Sequence, residues 1–428
     1  MKVSKFGGSA LADVNHITKV LDIIRSDPER RCVVVSAPGR RHPDDPKITD
    51  LFGIWQRQHE LRLSSLEVQE TIADRYWEIV HGLGLKFDLE RELEEIARRI
   101  EHGSSVDYAI SRGAYLIGMI VADALDYQFL DPAIADWLRQ YPKFSAQLPA
   151  GLRERNLVIP GSYGSRKDGS ILRFSGRGAD TTGAIVARIM SADLFEKWMD
   201  VLLLMADPLV VQDPKGIELL TYRELRELFY MGNVFDGEAA GLLEEARIPT
   251  RVYGINDPNG LSTDIVVRGT RERSPEIITG IAGRRGYTVI TIEKRKMHEQ
   301  VGFVRRILTA LEANNISFEH MPSGIDTLSV IVDEKKLVGK HQKVIDEIDS
   351  ICSPDIIVTH PDMAMITVVG QSMVHTQGVA AKIFSAIAEK QINIRMINQG
   401  SSEICIIIGV ENTDYAETIR AIYGAFMA

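Results

Sequence analysis

Residues 3–9 read Val-Ser-Lys-Phe-Gly-Gly-Ser, a short strand that runs directly into a pair of glycines. Because glycine has no Cβ, such a pair lets the backbone approach a bulky anion and point N–H groups at it. Lys5 adds a mobile positive charge and Ser9 adds a hydroxyl. Residues 11–24 follow with the apolar spacing of a helix, whose N-terminus would also favour phosphate. The stretch predicts a phosphate-binding turn, although a strand, turn and helix without a ligand would fit the same residues.

The composition is that of an ordinary globular protein. The 428 residues are enough for two to four domains, and 45% of them are apolar and 25% charged. A net charge of −9 without a basic block argues against nucleic-acid binding. No apolar run is long enough to cross a bilayer, and the first residues lead into a strand instead of a signal peptide. We therefore expect a cytoplasmic protein with no nucleic-acid or membrane partner.

The cysteines and histidines point to no protein-bound metal. Cys32, Cys352 and Cys405 are far apart in apolar surroundings, which is typical of small buried hydrophobic residues in a reducing compartment. The ten histidines show no pairing at ligand spacing, so a structural zinc site is not expected.

Strand and helix signals alternate through the first two thirds of the chain. This alternation predicts a three-layer α/β domain over residues 1–270, with a charged helical insertion at about 56–102 and a polar linker within 254–276. The predicted strands are 31–36, 157–161, 201–205 and 250–253, and the predicted helices are 113–126, 181–190, 221–230 and 236–246.

The last third contains an internal repeat. Residues 302–311 align without a gap on residues 378–387, at a spacing of 378 − 302 = 76 residues. The match continues from 315–318 against 391–394 to 328–332 against 404–408. Each copy reads as strand, glycine turn, helix, strand, turn and strand, so two α+β modules of the βαββ type are expected, at 271–360 and 361–428.

Together these motifs resemble aspartate kinases. Lys5-Phe6-Gly7-Gly8-Ser9, Val-Val-Ser-Ala at 34–37 and the glycine-led helix start at 178–182 resemble their amino-acid kinase fold. The tandem modules resemble their paired ACT domains. The specific patterns are Asn-Ile at 315–316, Ser-Gly-Ile-Asp at 323–326, Asn-Ile at 393–394 and Gln-Gly-Ser-Ser-Glu at 399–403. The resemblance covers essentially the whole chain and implies a monofunctional enzyme.

This resemblance implies phosphorylation of the side-chain carboxylate of L-aspartate by ATP and Mg²⁺, giving 4-phospho-L-aspartate. It also implies feedback control by an amino acid such as lysine or threonine, and a homodimer or larger assembly joined through the ACT domains. Lys5 would neutralise the transferring phosphoryl group, and Asp180 would orient that lysine. The other implied contacts are Gly7, Gly8, Ser9, Asp200 and Asp207 for the nucleotide, Ser36, Thr49 and Arg177 for the substrate, and Ser323, Gly324, Asp326, Gln399, Ser401 and Ser402 for the effector.

The catalytic motifs depart from the family pattern at several positions. Ser111-Arg112-Gly113-Ala114 stands where the family has Ser-x-Gly-Glu, whose glutamate binds the substrate amino group. Residues 176–180 read Gly-Arg-Gly-Ala-Asp in place of Arg-Gly-Gly-Ser-Asp, and Leu209 replaces a cation of the nucleotide loop. Two alternatives to a regulated aspartate kinase therefore stay open. One is a kinase for another small carboxylate or amino acid, and the other is an ACT-type amino-acid sensor with impaired catalysis.

Overall fold

The computed structural model describes residues 1–134, 151–174, 178–229, 235–267 and 276–427. These residues divide into two units. The first comprises Met1–Leu203, Gly216–Arg226 and residues 235–267, and the second comprises Leu204–Lys215 and residues 227–229 and 276–427.

The opening strand, β1 (Lys2–Phe6), lies inside an eight-stranded sheet of the first unit. It pairs in parallel with β2 (Cys32–Val35) on one side and with β7 (Leu194–Met199) on the other. The sheet is completed by β3 (Gln128–Phe129), β4 (Leu157–Pro160), β8 (Leu219–Thr221), β9 (Thr250–Gly254) and β10 (Asp257–Val266). Its order is β3-β4-β2-β1-β7-β9-β10-β8, and only β9 and β10 pair antiparallel. A separate hairpin joins β5 (Tyr163–Ser165) to β6 (Ile171–Arg173).

Helices cover both faces of this sheet, so the predicted three-layer α/β architecture is confirmed. Phe6 points to one face, into a large apolar core shared with the helices of residues 14–125. Lys5 points to the other face, where a Cβ added to Gly183 would lie 3.6 Å from the Cβ of Lys5. The helices are α1 (Val14–Arg25), α2 (Ile48–Glu60), α3 (Leu66–Gly82), α4 (Leu89–Glu101), α5 (Val106–Leu125), α6 (Gly178–Met190), α7 (Tyr222–Phe229) and α8 (Gly237–Glu245).

Helix α5 is longer than the predicted helix at 113–126. The Ser105 hydroxyl accepts a hydrogen bond from the Tyr108 N–H at 3.1 Å and starts the helix at Val106. Asp126 ends the helix in the left-handed region, at φ 55°. By length and composition α5 could cross a membrane, but 67% of its most apolar window is buried within the protein. Its apolar character therefore reflects its place in the core.

Two expectations about the sheet were wrong. The buried strand predicted at 201–205 lies earlier, as β7 (Leu194–Met199), because the buried charged residues Glu196 and Lys197 interrupt its apolar pattern. The second concerns only part of the range 254–276, in which a linker was predicted: Asp257–Val266 form β10, which pairs with β9 and β8 despite its polar composition, and residues 268–275 lie outside the described residues. Cross-strand pairing outweighed local propensity there.

The described part of the second unit contains a five-stranded antiparallel sheet and the five α-helices α9 to α13. Its strand order is β12-β11-β13-β15-β14. The strands are β11 (Gly280–Glu293), β12 (Thr327–Asp333), β13 (Ile356–Val369), β14 (Met396–Asn398) and β15 (Cys405–Glu411). The helices are α9 (Phe303–Ala313), α10 (Glu334–Leu337), α11 (His341–Cys352), α12 (Val379–Glu389) and α13 (Tyr415–Met427).

The sequence repeat appears in this unit as two equivalent helices. α9 and α12 begin 76 residues apart (379 − 303) and end 76 residues apart (389 − 313). Gly302 and Gly378 precede them with φ values of 79° and 84°, which only glycine adopts readily. The strand expected after each of these helices does not begin in the matched stretches 315–318 and 391–394, because Asn315 and Gln391 adopt positive φ and turn the chain there; after α12 the strand follows as β14 (Met396–Asn398).

The limits of the predicted domains stay predictions. The proposed boundary near 270 falls outside the described residues. The proposed division at 360 falls inside β13, and both halves of that strand pair with the long strand β11. The two βαββ modules therefore share one continuous sheet. All three cysteines are buried and free, as expected, and burial raises the pKa of the Cys32 thiol to about 12.

A buried ion pair between Arg30 and Glu196, with its hydrogen bonds, links β1 to β7. The Glu196 carboxylate accepts hydrogen bonds from Arg30 Nε at 2.8 Å, the Ser4 hydroxyl at 2.8 Å and the Trp198 indole N–H at 3.1 Å. The Arg30 guanidinium also lies 5.0 Å from the centre of the Trp198 ring. Because Glu196 has no solvent contact, its charge depends on these partners.

Replacing Arg30 should therefore be costly. We expect Arg30→Met to destabilise the first unit by about 3–5 kcal/mol, because it removes the nearest counter-charge of the buried Glu196 carboxylate and leaves Lys2 Nζ at 3.9 Å as its remaining described cation. The shift of the urea midpoint, followed by tryptophan fluorescence, measures the effect. Arg98→Met, which removes a solvent-exposed pair with Glu95, is the control and should leave the midpoint nearly unchanged. Equal midpoints for the two variants would contradict the assignment.

Candidate active site

A pocket of about 220 Å³ opens where β1, β2 and β7 end at their carboxyl edge. Parallel α/β sheets bind ligands at this edge, because loops and helix N-termini meet there. The residues that line the pocket are Lys5, Gly7, Gly8, Ser9, Ser36, Ser162, Gly178, Ala179, Lys197, Trp198, Met199 and Asp200.

A buried carboxylate holds two ammonium groups beside this pocket. Asp180, on the first turn of α6, has no solvent exposure. Its Oδ1 forms an ion pair with Lys5 Nζ at 2.7 Å, and its Oδ2 accepts a hydrogen bond from Lys197 Nζ at 2.5 Å. The Lys5 and Lys197 side chains are only 8% and 1% exposed. The structure thus brings together the two predicted catalytic residues and adds a second lysine.

The charge state of this cluster follows from its geometry. Burial alone would raise the pKa of the Asp180 carboxyl, but the neighbouring ammonium groups of Lys197 and Lys5 lower it well below its ordinary value. Asp180 is therefore an anion at neutral pH, and its role is to hold the lysines.

Gly8, the second glycine of the turn, is required by close packing and not by an unusual backbone conformation. Gly8 has φ −61° and ψ −37°, which any residue can adopt. However, a Cβ at Gly8 would lie 2.8 Å from the Ala37 carbonyl oxygen, and a Cβ at Gly39 would lie 2.6 Å from the Gly8 carbonyl carbon. The Gly39 N–H donates to the Gly8 carbonyl at 2.7 Å. The loop after β2 is thus pressed against the turn after β1.

The helix whose N-terminus lies at the pocket is α6, and not the helix predicted at residues 11–24. The predicted helix at 11–24 begins only at Val14, after a 3₁₀ turn (Ser9–Leu11), and the Asp13 carboxylate caps it by accepting from the His16 N–H at 3.0 Å. In contrast, Gly178 and Ala179 begin α6 and line the pocket. The N–H groups and the dipole of α6 therefore favour an anion there.

Arg75, in the helical insertion, supports the turn from behind. Its guanidinium, which is almost fully buried, forms an ion pair with Asp45 and donates to the carbonyl oxygens of Gly39 at 2.6 Å and Ala12 at 2.8 Å. Hydrogen bonds from Arg41 and Arg75 lower the pKa of the Asp45 carboxyl against the effect of burial. The insertion on α3 thus anchors both loops that shape the glycine turn.

The other predicted contacts divide into three groups. Gly7, Gly8, Ser9, Ser36 and Asp200 line the pocket. Thr49, on the first turn of α2, and Asp207, which belongs to the second unit and accepts from the Leu209 N–H, are not among the lining residues of the described chain. Arg177 lies outside the described residues.

The predicted effector residues lie in two exposed turns of the second unit. Ser323, Gly324 and Asp326 precede β12, where Asp326 accepts a hydrogen bond from the Lys296 N–H at 2.7 Å. Gln399, Ser401 and Ser402 precede β15. β12 begins beside Glu293 of β11, which pairs with Ile356 at the start of β13, whereas β15 begins beside Val369 at the end of β13. The turns therefore lie toward opposite ends of β13, on the order of 40 Å apart. One chain therefore does not bring the two turns into a single site.

The segment 111–114 on α5 is buried in the core. Ala114 is 4% exposed within the apolar cluster. The Arg112 guanidinium lies over the rings of Tyr108, Tyr115 and Tyr163, at 4.5, 4.3 and 5.4 Å from their centres. Together with its hydrogen bonds to the Ser111 hydroxyl, at 3.1 and 2.9 Å, these cation–π contacts stabilise the buried guanidinium.

Sequence reasoning did not identify Lys197 or Arg75. The signal for Lys197 was present, since a lysine inside a strand bounded by apolar residues needs a buried counter-charge. No local signal distinguished Arg75 among the many charged residues of the insertion.

The two glycines of the turn should respond differently to substitution. We expect Gly8→Ala to destabilise the first unit by about 1–3 kcal/mol, because its Cβ would overlap backbone atoms of the neighbouring loop. Gly7→Ala is the control, since its Cβ would come no closer than 3.7 Å to another atom, at Lys5 Nζ, and should change stability by less than about 0.5 kcal/mol. Urea midpoints compare the variants, and an equal loss in both would contradict the packing account.

Asp180→Asn should destabilise the protein in a manner that depends on pH. At pH 7 we expect a loss of about 3–5 kcal/mol, because two buried ammonium groups would face each other without the Asp180 charge between them. A carboxyl whose pKa is lowered by folding stabilises the protein above its unfolded pKa, about 3.9 for aspartate, and that contribution disappears as the pH falls through the folded pKa. The difference from the wild type, measured by urea unfolding, should narrow below about pH 4. A difference that does not vary with pH would contradict the ion cluster.

Comparison with known proteins agrees with this geometry. Residues 1–255 match the Amino acid kinase family, and residues 366–426 match the ACT domain. Aspartokinase 3 of Bacillus subtilis is 35% identical, over 100% of this chain and 99% of its own length.

Solved structures show the same architecture. The aspartate kinase of Clostridium acetobutylicum superimposes with a TM-score of 0.90 at 42% identity, and the match covers 100% of both chains. Escherichia coli aspartokinase III, in complex with aspartate and ADP, has a TM-score of 0.77 at 23% identity, again over 100% of both chains, and shows the shared fold. The 35% identity to the Bacillus protein over the full chain, together with the matches to the kinase family and the ACT domain, establishes that this chain belongs to the aspartokinase family.

Proposed function

We propose that this chain transfers the γ-phosphoryl group of ATP to the side-chain carboxylate of L-aspartate, giving 4-phospho-L-aspartate and ADP. The observation that carries the proposal is the pocket at the end of β1, where the glycine turn, the Lys5 ammonium and the N-terminus of α6 converge. Relatives of known name that match the full chain are aspartokinases.

The residues present fit the chemistry of this transfer. A carboxylate oxygen attacks the γ-phosphorus, and the bond to the oxygen that bridges to the β-phosphate breaks. The aspartate side chain is ionised at neutral pH, so the reaction needs no general base. The site must place the carboxylate and the γ-phosphate, both anions, in line, and it must neutralise the negative charge that develops in the transition state. Lys5, held by Asp180, is placed to do this, and the Gly7, Gly8 and Ser9 turn offers donors to the phosphates.

The site also fits a magnesium ion carried with the nucleotide. Mg²⁺ in kinases is held by phosphate oxygens and one or two carboxylates, and it neutralises the developing phosphate charge. Asp200 is an exposed carboxylate that lines the pocket and would hold the ion. Ser36 lies on the proposed substrate side, and Thr49 and Arg177 are kept as proposed substrate contacts. Asp207 is kept as a proposed nucleotide contact.

We further propose feedback regulation by an amino acid, lysine or threonine, bound at the two ACT turns. The residues proposed for it are Ser323, Gly324, Asp326, Gln399, Ser401 and Ser402. Because these turns are exposed and far apart in one chain, we propose a homodimer or larger assembly in the cytoplasm as the working form.

Lys5→Met tests the proposed transfer. We expect it to lower the turnover number by about 10²–10³-fold, because the residue supplies charge to the transition state, while Asp180 keeps Lys197 as a counter-charge in the fold. ADP release in the presence of ATP, Mg²⁺ and aspartate, together with hydroxamate formation on adding hydroxylamine, measures the acyl phosphate. Lys2→Met, the same change at the far end of β1, is the control and should stay within about twofold of the wild type.

The assay also separates the alternatives. A wild-type protein that forms neither ADP nor hydroxamate with aspartate would contradict the proposal. ADP release with another small carboxylate would then favour altered substrate choice, and amino-acid binding without ATP binding would favour a sensor.

A further inference from the structure

The register of the central sheet places two lysines directly opposite each other. In the parallel pair of β1 and β7, Lys5 is the partner of Lys197. Like charges at such positions repel, and repulsion between buried ammonium groups is stronger than at a surface. The arrangement therefore needs a compensating anion between the two side chains.

Asp180 supplies that anion, and its single negative charge faces both ammonium groups. Each of its carboxylate oxygens faces one ammonium, at 2.7 Å for Lys5 and 2.5 Å for Lys197. Two lysines and one aspartate leave a net charge of 2 − 1 = +1 on the cluster. A Lys5–Asp180 pair alone would be neutral and would attract a phosphate weakly. The second lysine thus converts a neutral pair into a positively charged centre beside the pocket.

The surroundings of Lys197 keep this charge effective. Its side chain is 1% exposed, and its Nζ lies 4.2 Å from the centre of the Phe235 ring. Salt screens a buried charge much less than an exposed one. Asp200 also lines the pocket, but its carboxylate is exposed, where water weakens its opposing field.

We infer that Lys197 is a positioning residue for phosphoryl transfer, which fixes Asp180 and gives the Lys5 centre its net positive charge. This inference rests on the proposed function for the identity of the reaction. The class of ligand that the charge serves is a polyphosphate, whose terminal group meets the cluster at Lys5.

Lys197→Gln and Lys197→Met test the inference. The glutamine keeps a hydrogen-bond donor for Asp180 while removing the charge, and the methionine removes both. The first readout is the dissociation constant of inorganic tripolyphosphate, measured by calorimetry, because this probe reports the charge of the pocket without adenine and without turnover. We expect both variants to bind it about tenfold more weakly than the wild type, which corresponds to about 1.4 kcal/mol. Lys2→Met is the matched control and should stay within about twofold.

The second readout is ADP formation with aspartate, with kcat and KM measured separately. We expect the turnover number of Lys197→Gln to fall at least about tenfold while the KM for aspartate changes little, since charge at the transferring group acts mainly in the transition state. Circular dichroism and thermal melting verify that the variants are folded. A merely structural lysine would lower the melting temperature without selective loss of tripolyphosphate binding or turnover.

The outcomes separate the two proposals. If the wild type turns over aspartate and a folded Lys197→Gln matches it in both readouts, the inference is overturned and the proposed function stands. If the wild type does not phosphorylate aspartate but tripolyphosphate binding still weakens about tenfold in Lys197→Gln, the proposed function fails and the charge role of Lys197 is supported. If Lys197→Met fails to fold, the two readouts for Lys197→Gln alone decide whether the inferred role of Lys197 holds.

Discussion

The candidate site depends on one ion cluster, in which the buried Asp180 carboxylate bridges the ammonium groups of Lys5 and Lys197. Burying three charges is costly unless each finds a partner, and this cost ties the first strand, the seventh strand and the start of α6 to one geometry. Everything else at the pocket is arranged around that point. The Gly8 turn packs against Gly39, and the helical insertion secures the packing through Arg75.

The chemistry follows from what this cluster offers. Transfer of a phosphoryl group to a carboxylate brings two anions together and requires no proton abstraction, so the protein must supply fixed positive charge and alignment. An unprotonated aspartate that holds lysines in place fits this need, whereas a general base would have no task. The departures from the family pattern are compatible with this account, since Ala114 belongs to the apolar core and the Arg112 guanidinium is enclosed by tyrosine rings.

Much of the fold could be predicted from local patterns, and the failures have physical causes. The Lys5 to Ser9 turn, the three-layer domain and the 76-residue repeat follow from spacing that reflects packing directly. The strand β7 was predicted too late in the sequence, because Glu196 and Lys197 are charged residues buried by partners distant in sequence. The strand β10 was predicted as part of a linker, because its pairing with neighbouring strands overrides its polar composition. Lys197 entered the site only through the register of two strands whose paired residues are 197 − 5 = 192 positions apart, which no local pattern records.

The most direct test of the central claim is a crystal structure with a non-hydrolysable ATP analogue. We expect the terminal phosphate of the analogue to lie within about 3 Å of Lys5 Nζ, with Asp180 still bridging Lys5 and Lys197. A structure that shows the analogue bound elsewhere, or the Lys5 ammonium turned away from the phosphates with the bridge broken, would contradict it.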